Sequence, residues 1–243
     1  MGESSEGSTL EAAALPKPPV AGIASLAEST HLWNELSERI PADIAEQPST
    51  LVGGSLHSYQ LHGLCWLVGM RRAGLNGILA DDMGLGKTVQ VVAYMLQVRA
   101  EQGGCVPSQP FLVAVPASVL SHWAGEIRRW APSLQLLLYA GPAVKREEAF
   151  VRSVLPAARG KARIDVVLTT HDVLAGKTDA PRLRRLAYEA LVVDEGHRLK
   201  NAACKLHAHL RAYRCRQRLL LTGRARCSNS LMEMRNICNH PFI

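Results

Sequence analysis

Nine consecutive residues, Ala80-Asp81-Asp82-Met83-Gly84-Leu85-Gly86-Lys87-Thr88, follow an apolar run at 77–80 and open a helical pattern. Glycines at 84 and 86 let a backbone pass close to an anion. A helix starting here would aim its unpaired N–H groups at the same point. The Lys87 ammonium would reach the β- and γ-phosphates of a nucleotide, and the Thr88 hydroxyl is a hard oxygen ligand suited to magnesium. Residues Asp81 to Thr88 are thus candidates for holding phosphate. Asp81 stands where the strict glycine spacing wants the first glycine, a position that simple nucleotide kinases and small GTPases keep.

A second cluster, Ala190-Leu191-Val192-Val193-Asp194-Glu195-Gly196-His197, is an apolar run ending in two adjacent carboxylates. Asp194 at a strand end suits the magnesium shell, with Thr88 as the other protein ligand. Glu195 suits the orientation and deprotonation of an attacking water, and His197 suits sensing of the γ-phosphate. Alone, the pair has a plainer alternative, an ordinary acidic turn after a strand. About a hundred residues after a phosphate loop it reads as the catalytic half of the same site. Gln60, in Ser58-Tyr59-Gln60, offers an amide with both donor and acceptor for an adenine edge, and is uninformative by itself.

These residues need a scaffold that brings strand ends together. Short apolar runs lie at 77–80, 111–115, 134–139, 164–169, 191–193 and 219–221, and several are continuously apolar, as strands buried on both faces of a parallel sheet are. Helical patterns fall between them, at 88–100, 119–130, 144–155, 181–189 and 202–213. Alternating strands and helices predict a doubly wound α/β domain. Residues 1–22, rich in Ser, Gly, Glu, Ala and Pro, predict a disordered leader. A short helix at 26–40 and a linker fill 23–48, and 49–223 form the main domain.

Formal net charge is +7 and the pI about 9.3, which leans toward an anionic partner such as nucleic acid. No Asp or Glu lies between Glu195 and Glu233, while Arg198, Lys200, Lys205, Arg211, Arg214, Arg216, Arg218, Arg224 and Arg226 do. A one-signed stretch of this length exceeds what a solvated helix face needs. The 6 cysteines form no C-x-x-C pair, which disfavours a zinc ribbon or a redox motif. No apolar run is long enough to span a membrane, and the first residues lack a secretory pattern, so an intracellular protein with no membrane partner is expected.

The ordered set resembles lobe one of the helicase-like superfamily-two ATPases, and more narrowly the Swi/Snf (Brahma-type) chromatin remodellers. The family's adenine-reading motif resembles Leu-His-Ser-Tyr-Gln-Leu-His-Gly-Leu-Cys-Trp at 56–66, and its phosphate loop resembles 78–90, with Asp82 where Glu is usual. Later motifs resemble Val115-Pro116-Ala117-Ser118-Val119-Leu120-Ser121-His122-Trp123, then Leu168-Thr169-Thr170, then Asp-Glu-Gly-His-Arg-Leu-Lys-Asn at 194–201. The Gly196 form of that acidic box and the segment 47–54 point to the Brahma-like branch. The match runs from about 47 to 223.

The resemblance implies a RecA-like doubly wound parallel sheet with helices on both faces, a P-loop NTPase lobe. It implies ATP and Mg2+ as cofactors, double-stranded DNA and nucleosomes as substrates, remodelling-complex subunits as partners, and the nucleus as location. It also places Ser118, Thr169, Thr170, Arg198, Lys200 and Asn201 near the DNA backbone; strand-end threonines that only close a strand are the plain alternative for Thr169 and Thr170. After Leu-Leu-Leu-Thr-Gly at 219–223 the family pattern breaks. Residues 224–243 read as an aberrant junction and a remnant resembling the start of lobe two, with the arginine finger absent. Three functions follow: a DNA-dependent ATPase lobe of a remodeller not competent for hydrolysis alone, a non-enzymatic ATP- or DNA-binding fragment, or a lobe of a DNA-repair translocase.

Overall fold

Strands dominated by Val, Leu and other apolar residues are stable only where both faces are covered, and every residue of the strands at 111–115, 166–170 and 188–193 is buried. The structure, a computed structural model, describes residues 44–82, 84–103, 109–195 and 210–223. Among them, β1 (Gly77–Leu79), β2 (Phe111–Val115), β3 (Leu136–Tyr139), β4 (Val166–Thr170), β5 (Tyr188–Val193) and β6 (Cys215–Leu221) form one sheet in the order β1-β6-β5-β2-β4-β3. Every pairing is parallel. Parallel neighbours need crossovers. These are α2 (Lys87–Glu101) after β1, α3 (Leu120–Trp130) after β2, and α4 (Ala143–Ala149) with α5 (Leu155–Ala158) after β3. The short α6 (His171–Ala175) and α7 (Asp179–Leu183) follow β4. The helix α1 (Ser58–Arg72) precedes the sheet.

Successive residues of each strand feed two separate cores. Val113, Val115, Val166, Leu168, Val192, Leu219 and Leu221 meet Leu64, Leu67 and Val68 of α1, the buried face of α2, and Trp123 and Ile127 of α3. Leu112, Ala114, Val167, Leu191, Val193 and Leu220 face the other way, onto Leu174, Leu183, Leu210 and Tyr213. The doubly wound parallel sheet is as expected, and the run 219–221 does enter it, between β1 and β5.

Several boundaries differ. Helix α1 was not expected; its apolar residues wrap nearly all round, so no amphipathic stripe marked it, yet Leu64, Leu67, Val68 and Met70 are fully enclosed. The helix expected at 181–189 ends at Leu183, because Tyr188 and Glu189 are extended and donate their N–H groups to Arg214 O and Pro110 O at 2.9 Å each. Sheet pairing overrides a locally helical sequence. The helix expected at 144–155 is interrupted by a π turn at Phe150–Val154, just before Pro156, which has no N–H for the ladder. Strand β6 starts earlier than its apolar residues, since Gln217 and Arg218 are buried in it. The leader, the helix at 26–40, most of the helix at 202–213 and residues 224–243 lie outside the described residues.

The buried Gln217 is fixed from both ends: its Oε1 accepts from the Tyr94 hydroxyl at 2.5 Å and its Nε2 donates to Leu75 O at 2.9 Å. Tyr94→Phe strips the acceptor of that donor in a dry core. Denaturant unfolding should show a loss of about 1–3 kcal/mol. Val144→Ser, on a side chain that is 79% exposed, should stay within about 0.5 kcal/mol of the parent.

Candidate functional site

Strand β1 delivers the chain to the sheet rim at Leu79, and α2 carries it away from Lys87. The intervening turn depends on two left-handed glycines, Gly84 at φ 89° and Gly86 at φ 76°. Gly86 caps α2, and a Cβ there would meet Gln60 Nε2 at 2.5 Å. A Cβ at Gly84 would meet nothing within 4 Å, so the loop's open side lies there. Lys87 Nζ folds back onto the loop, donating to Asp81 O at 2.9 Å and Asp82 O at 3.0 Å. Thr88 is the second residue of α2 and partly exposed. Met83 lies outside the described residues; Asp82 and Leu85 are exposed.

The departure from the strict glycine pattern has a structural use. Asp81 Oδ2 accepts from Gln90 Nε2 at 3.0 Å, tying the start of the loop to α2. Gln90 fits because Gly63 opposes it: a Cβ on Gly63 would stand 1.9 Å from Gln90 Oε1. Gln60 is also engaged. Its Oε1 accepts from His57 N at 3.0 Å, and its Nε2 donates to Leu85 O at 3.2 Å. An adenine edge read by this amide would compete with the Leu85 carbonyl for the N–H. A cavity of about 510 Å³ beside it is lined by Tyr59, His62, Trp66, Leu79, Asp81 and Leu85, among others.

The acidic pair leaves β5 at the same rim. Asp194 N donates to Ala114 O at 2.9 Å, its Oδ1 accepts from Glu195 N at 2.8 Å, and its Oδ2 accepts from Trp123 Nε1 at 2.8 Å. Glu195 sits at φ 53°, a left-handed conformation that an L-residue adopts at a cost of roughly 1–2 kcal/mol. Strain of this kind gathers at functional turns. His171 was not anticipated: its Nε2 lies 3.2 Å from the same Ala114 O. Burial pushes its pKa down, against the pull of that carbonyl and of Asp194. It follows Thr169-Thr170 directly, the one sequence signal that points to it. His197, Arg198, Lys200 and Asn201 lie outside the described residues.

The candidate DNA-facing residues divide. Ser118 is exposed, in the 3₁₀ turn Ala117–Val119 at the end of β2. Thr170 caps α6, accepting from Val173 N at 3.5 Å. Thr169 is fully buried and donates its hydroxyl to Tyr139 O at 2.8 Å; it anchors a strand end and offers no hydroxyl to a phosphate. The basic stretch is divided too. Arg218 is buried with its guanidinium on Tyr213 O, and Arg216 lies 3.8 Å from Glu189. With Arg214 they occupy the strand-entry rim, opposite the phosphate loop.

Two glycine substitutions separate backbone strain from steric exclusion. Gly84→Ala should lower stability by about 1–2 kcal/mol through its dihedral alone. Gly86→Ala carries the same strain and also displaces Gln60, so thermal unfolding should show a larger loss.

Comparison with known proteins bears on this geometry. The SNF2-related domain model matches residues 59–239. The chromatin structure-remodeling complex protein SYD of Arabidopsis thaliana is 42% identical over 87% of this chain. The transcription regulatory protein SNF2 of Saccharomyces cerevisiae is 38% identical over 85%. The chain spans only 6% and 12% of these two relatives' lengths. The Sulfolobus solfataricus SWI2/SNF2 ATPase core in complex with dsDNA superposes with a TM-score of 0.63 at 28% identity, over 79% of this chain and 37% of that one. Sequence and sheet concur: the chain belongs to the SNF2-related domain family.

Proposed function

We propose that residues 49–223 are the ATP-binding lobe of a DNA-dependent ATPase that translocates on duplex DNA to remodel nucleosomes, in the nucleus and within a remodelling complex. The observation that carries the reading is one rim. The loop after β1 and the acidic pair after β5 flank β6, with Lys87 resting on loop carbonyls that a phosphate can replace. Relatives with chromatin-remodelling names, and one named "Nuclear protein STH1/NPS1", support the setting.

In this reading the 84–88 backbone and the Lys87 ammonium bind the β- and γ-phosphates. Gln60 exchanges Leu85 O for the adenine edge. Among the described residues no cluster of three or more His, Cys, Asp or Glu side chains gathers to hold a metal. Magnesium bound with a nucleotide needs few protein ligands, however, and a hydroxyl with a carboxylate is the hard-oxygen chemistry it takes. Thr88 and Asp194 would hold it, and when bound it neutralises phosphate charge. Glu195 orients the attacking water and takes its proton, and His197 is assigned the sensing of the γ-phosphate. DNA contacts fall to Ser118, Thr170, Arg198, Lys200 and Asn201, through sequence-independent phosphate binding. Hydrolysis draws on an arginine finger from a second lobe, which residues 49–223 do not contain. Loss of such a finger costs about 10³–10⁵ in rate, so this lobe by itself binds nucleotide and turns it over negligibly.

Titration calorimetry tests the reading: Lys87→Ala should abolish the heat of ATP binding seen with the parent, and equal heats would sink it. For duplex DNA, log affinity should fall with log salt at about −0.9 per phosphate neutralised. Lys200→Gln should reduce that slope by about 1. Arg214→Gln, at the opposite rim, should leave it unchanged.

A further inference from the structure

The Asp194 carboxylate stands at the end of a strand and is partly open to solvent. A carboxylate in that position turns about a soft terminal torsion, yet here both oxygens are engaged. Oδ1 accepts from the N–H of its own neighbour, Glu195, at 2.8 Å. Oδ2 accepts at 2.8 Å from Trp123 Nε1, which belongs to another element, α3. Two donors from different directions fix the carboxylate plane and leave each oxygen one lone-pair direction.

Trp123 suits this task. The side chain is 1% exposed and packed into the core formed by α1, α2, α3 and the sheet, so the ring cannot swing. An indole nitrogen donates and never accepts, which makes the bond one-way, and it is uncharged, which leaves the carboxylate its full negative charge. A buried indole N–H needs an acceptor in any case, and a nearby one can suffice: Trp130 Nε1, in the same helix, donates to Glu126 at 2.8 Å, four residues back. Trp123 instead reaches across the sheet rim to the acidic pair.

We propose that Trp123 is a positioning residue for Asp194, so that the magnesium-dependent part of nucleotide binding depends on the indole N–H. This rests on the reading of Asp194 as a magnesium-shell carboxylate. The helix that leaves the exposed Ser118 turn thereby fixes the orientation of a site residue contributed by a different strand.

The test is calorimetric titration of the 243-residue chain with a non-hydrolysable ATP analogue, with and without Mg2+, in four proteins: parent, Trp123→Phe, Asp194→Asn and the double variant. The Mg2+-induced gain in affinity should fall about 10–100-fold in Trp123→Phe, the range typical of an outer-shell partner of a metal ligand. Mg2+-free affinity should hold within about twofold, and the double variant should lose no more of the gain than Asp194→Asn alone. A ring needed only for packing would weaken binding equally with and without Mg2+. Should the smaller phenyl ring unfold the chain, β-(3-benzothienyl)alanine at position 123 keeps the ring's shape and removes only the N–H, with the same loss expected. A parent-like Mg2+ gain in the position-123 variants, beside a loss in Asp194→Asn, overturns the positioning role alone. A parent-like gain in Asp194→Asn overturns the reading of the carboxylate and this inference with it.

Discussion

Six strands running one way finish at one rim, and both halves of the site hang from it. The parallel arrangement depends on apolar residues on both faces of the sheet, with one core under α1, α2 and α3 and a second under α6, α7 and the segment at Leu210 and Tyr213. Burial of this kind supplies the driving force for the fold and brings Ala80, Asp194, Ala114 and Thr170 to one rim, the last three on neighbouring strands and Ala80 one strand further, across β6. Chemistry is left to the loops at the rim, where backbone groups are unpaired and ligands bind in open α/β sheets.

Those loops are fastened to one another. Asp81 is tied to Gln90, Gln60 to Leu85 O, and Ala114 O takes the N–H of Asp194 while His171 lies beside it. The chain ahead of α1 joins the same frame. Val52 N donates to Trp130 O at 2.9 Å, and Gly53 and Gly54 lie against the Trp130 ring, where a Cβ on Gly54 would come within 3.1 Å. Gln47 then bridges Gly54 O and Leu56 N, one residue before the His57 N–H that Gln60 accepts. Helix α3 is therefore held at one end to the segment leading into α1 and at Trp123 to the acidic pair. The Gly53-Gly54 pair belongs to the frame of the site and not to a free linker.

Much of this was legible in the residues. Apolar runs, interrupted only at Gln135 and Asp165, located all six strands because sheets buried on both faces carry little alternation to mislead, and Gly84, Gly86 and Lys87 stood out because few turns need that set. What stayed hidden was long-range. Nothing local distinguishes Thr169, whose hydroxyl is spent on Tyr139 O, from Thr170 beside it. Arg218 reads as surface charge until β6 draws it into the sheet. Tyr188 and Glu189 read as helix until strand pairing claims them. Trp123 closes a recognised motif and His171 follows another, but Asp194 lies on a different strand, and only the sheet order brings it to them.

Lys87 holds its charge against two backbone carbonyls, an arrangement that a phosphate, with full negative charge, should outcompete. A crystal structure of the chain with Mg2+ and a non-hydrolysable ATP analogue tests the central claim most directly. The triphosphate should lie in the 84–88 loop, with Lys87 Nζ moved from Asp81 O and Asp82 O onto phosphate oxygens and the metal between Thr88 and Asp194. Nucleotide bound elsewhere, or a loop still closed on Lys87 at saturating ligand, would contradict it.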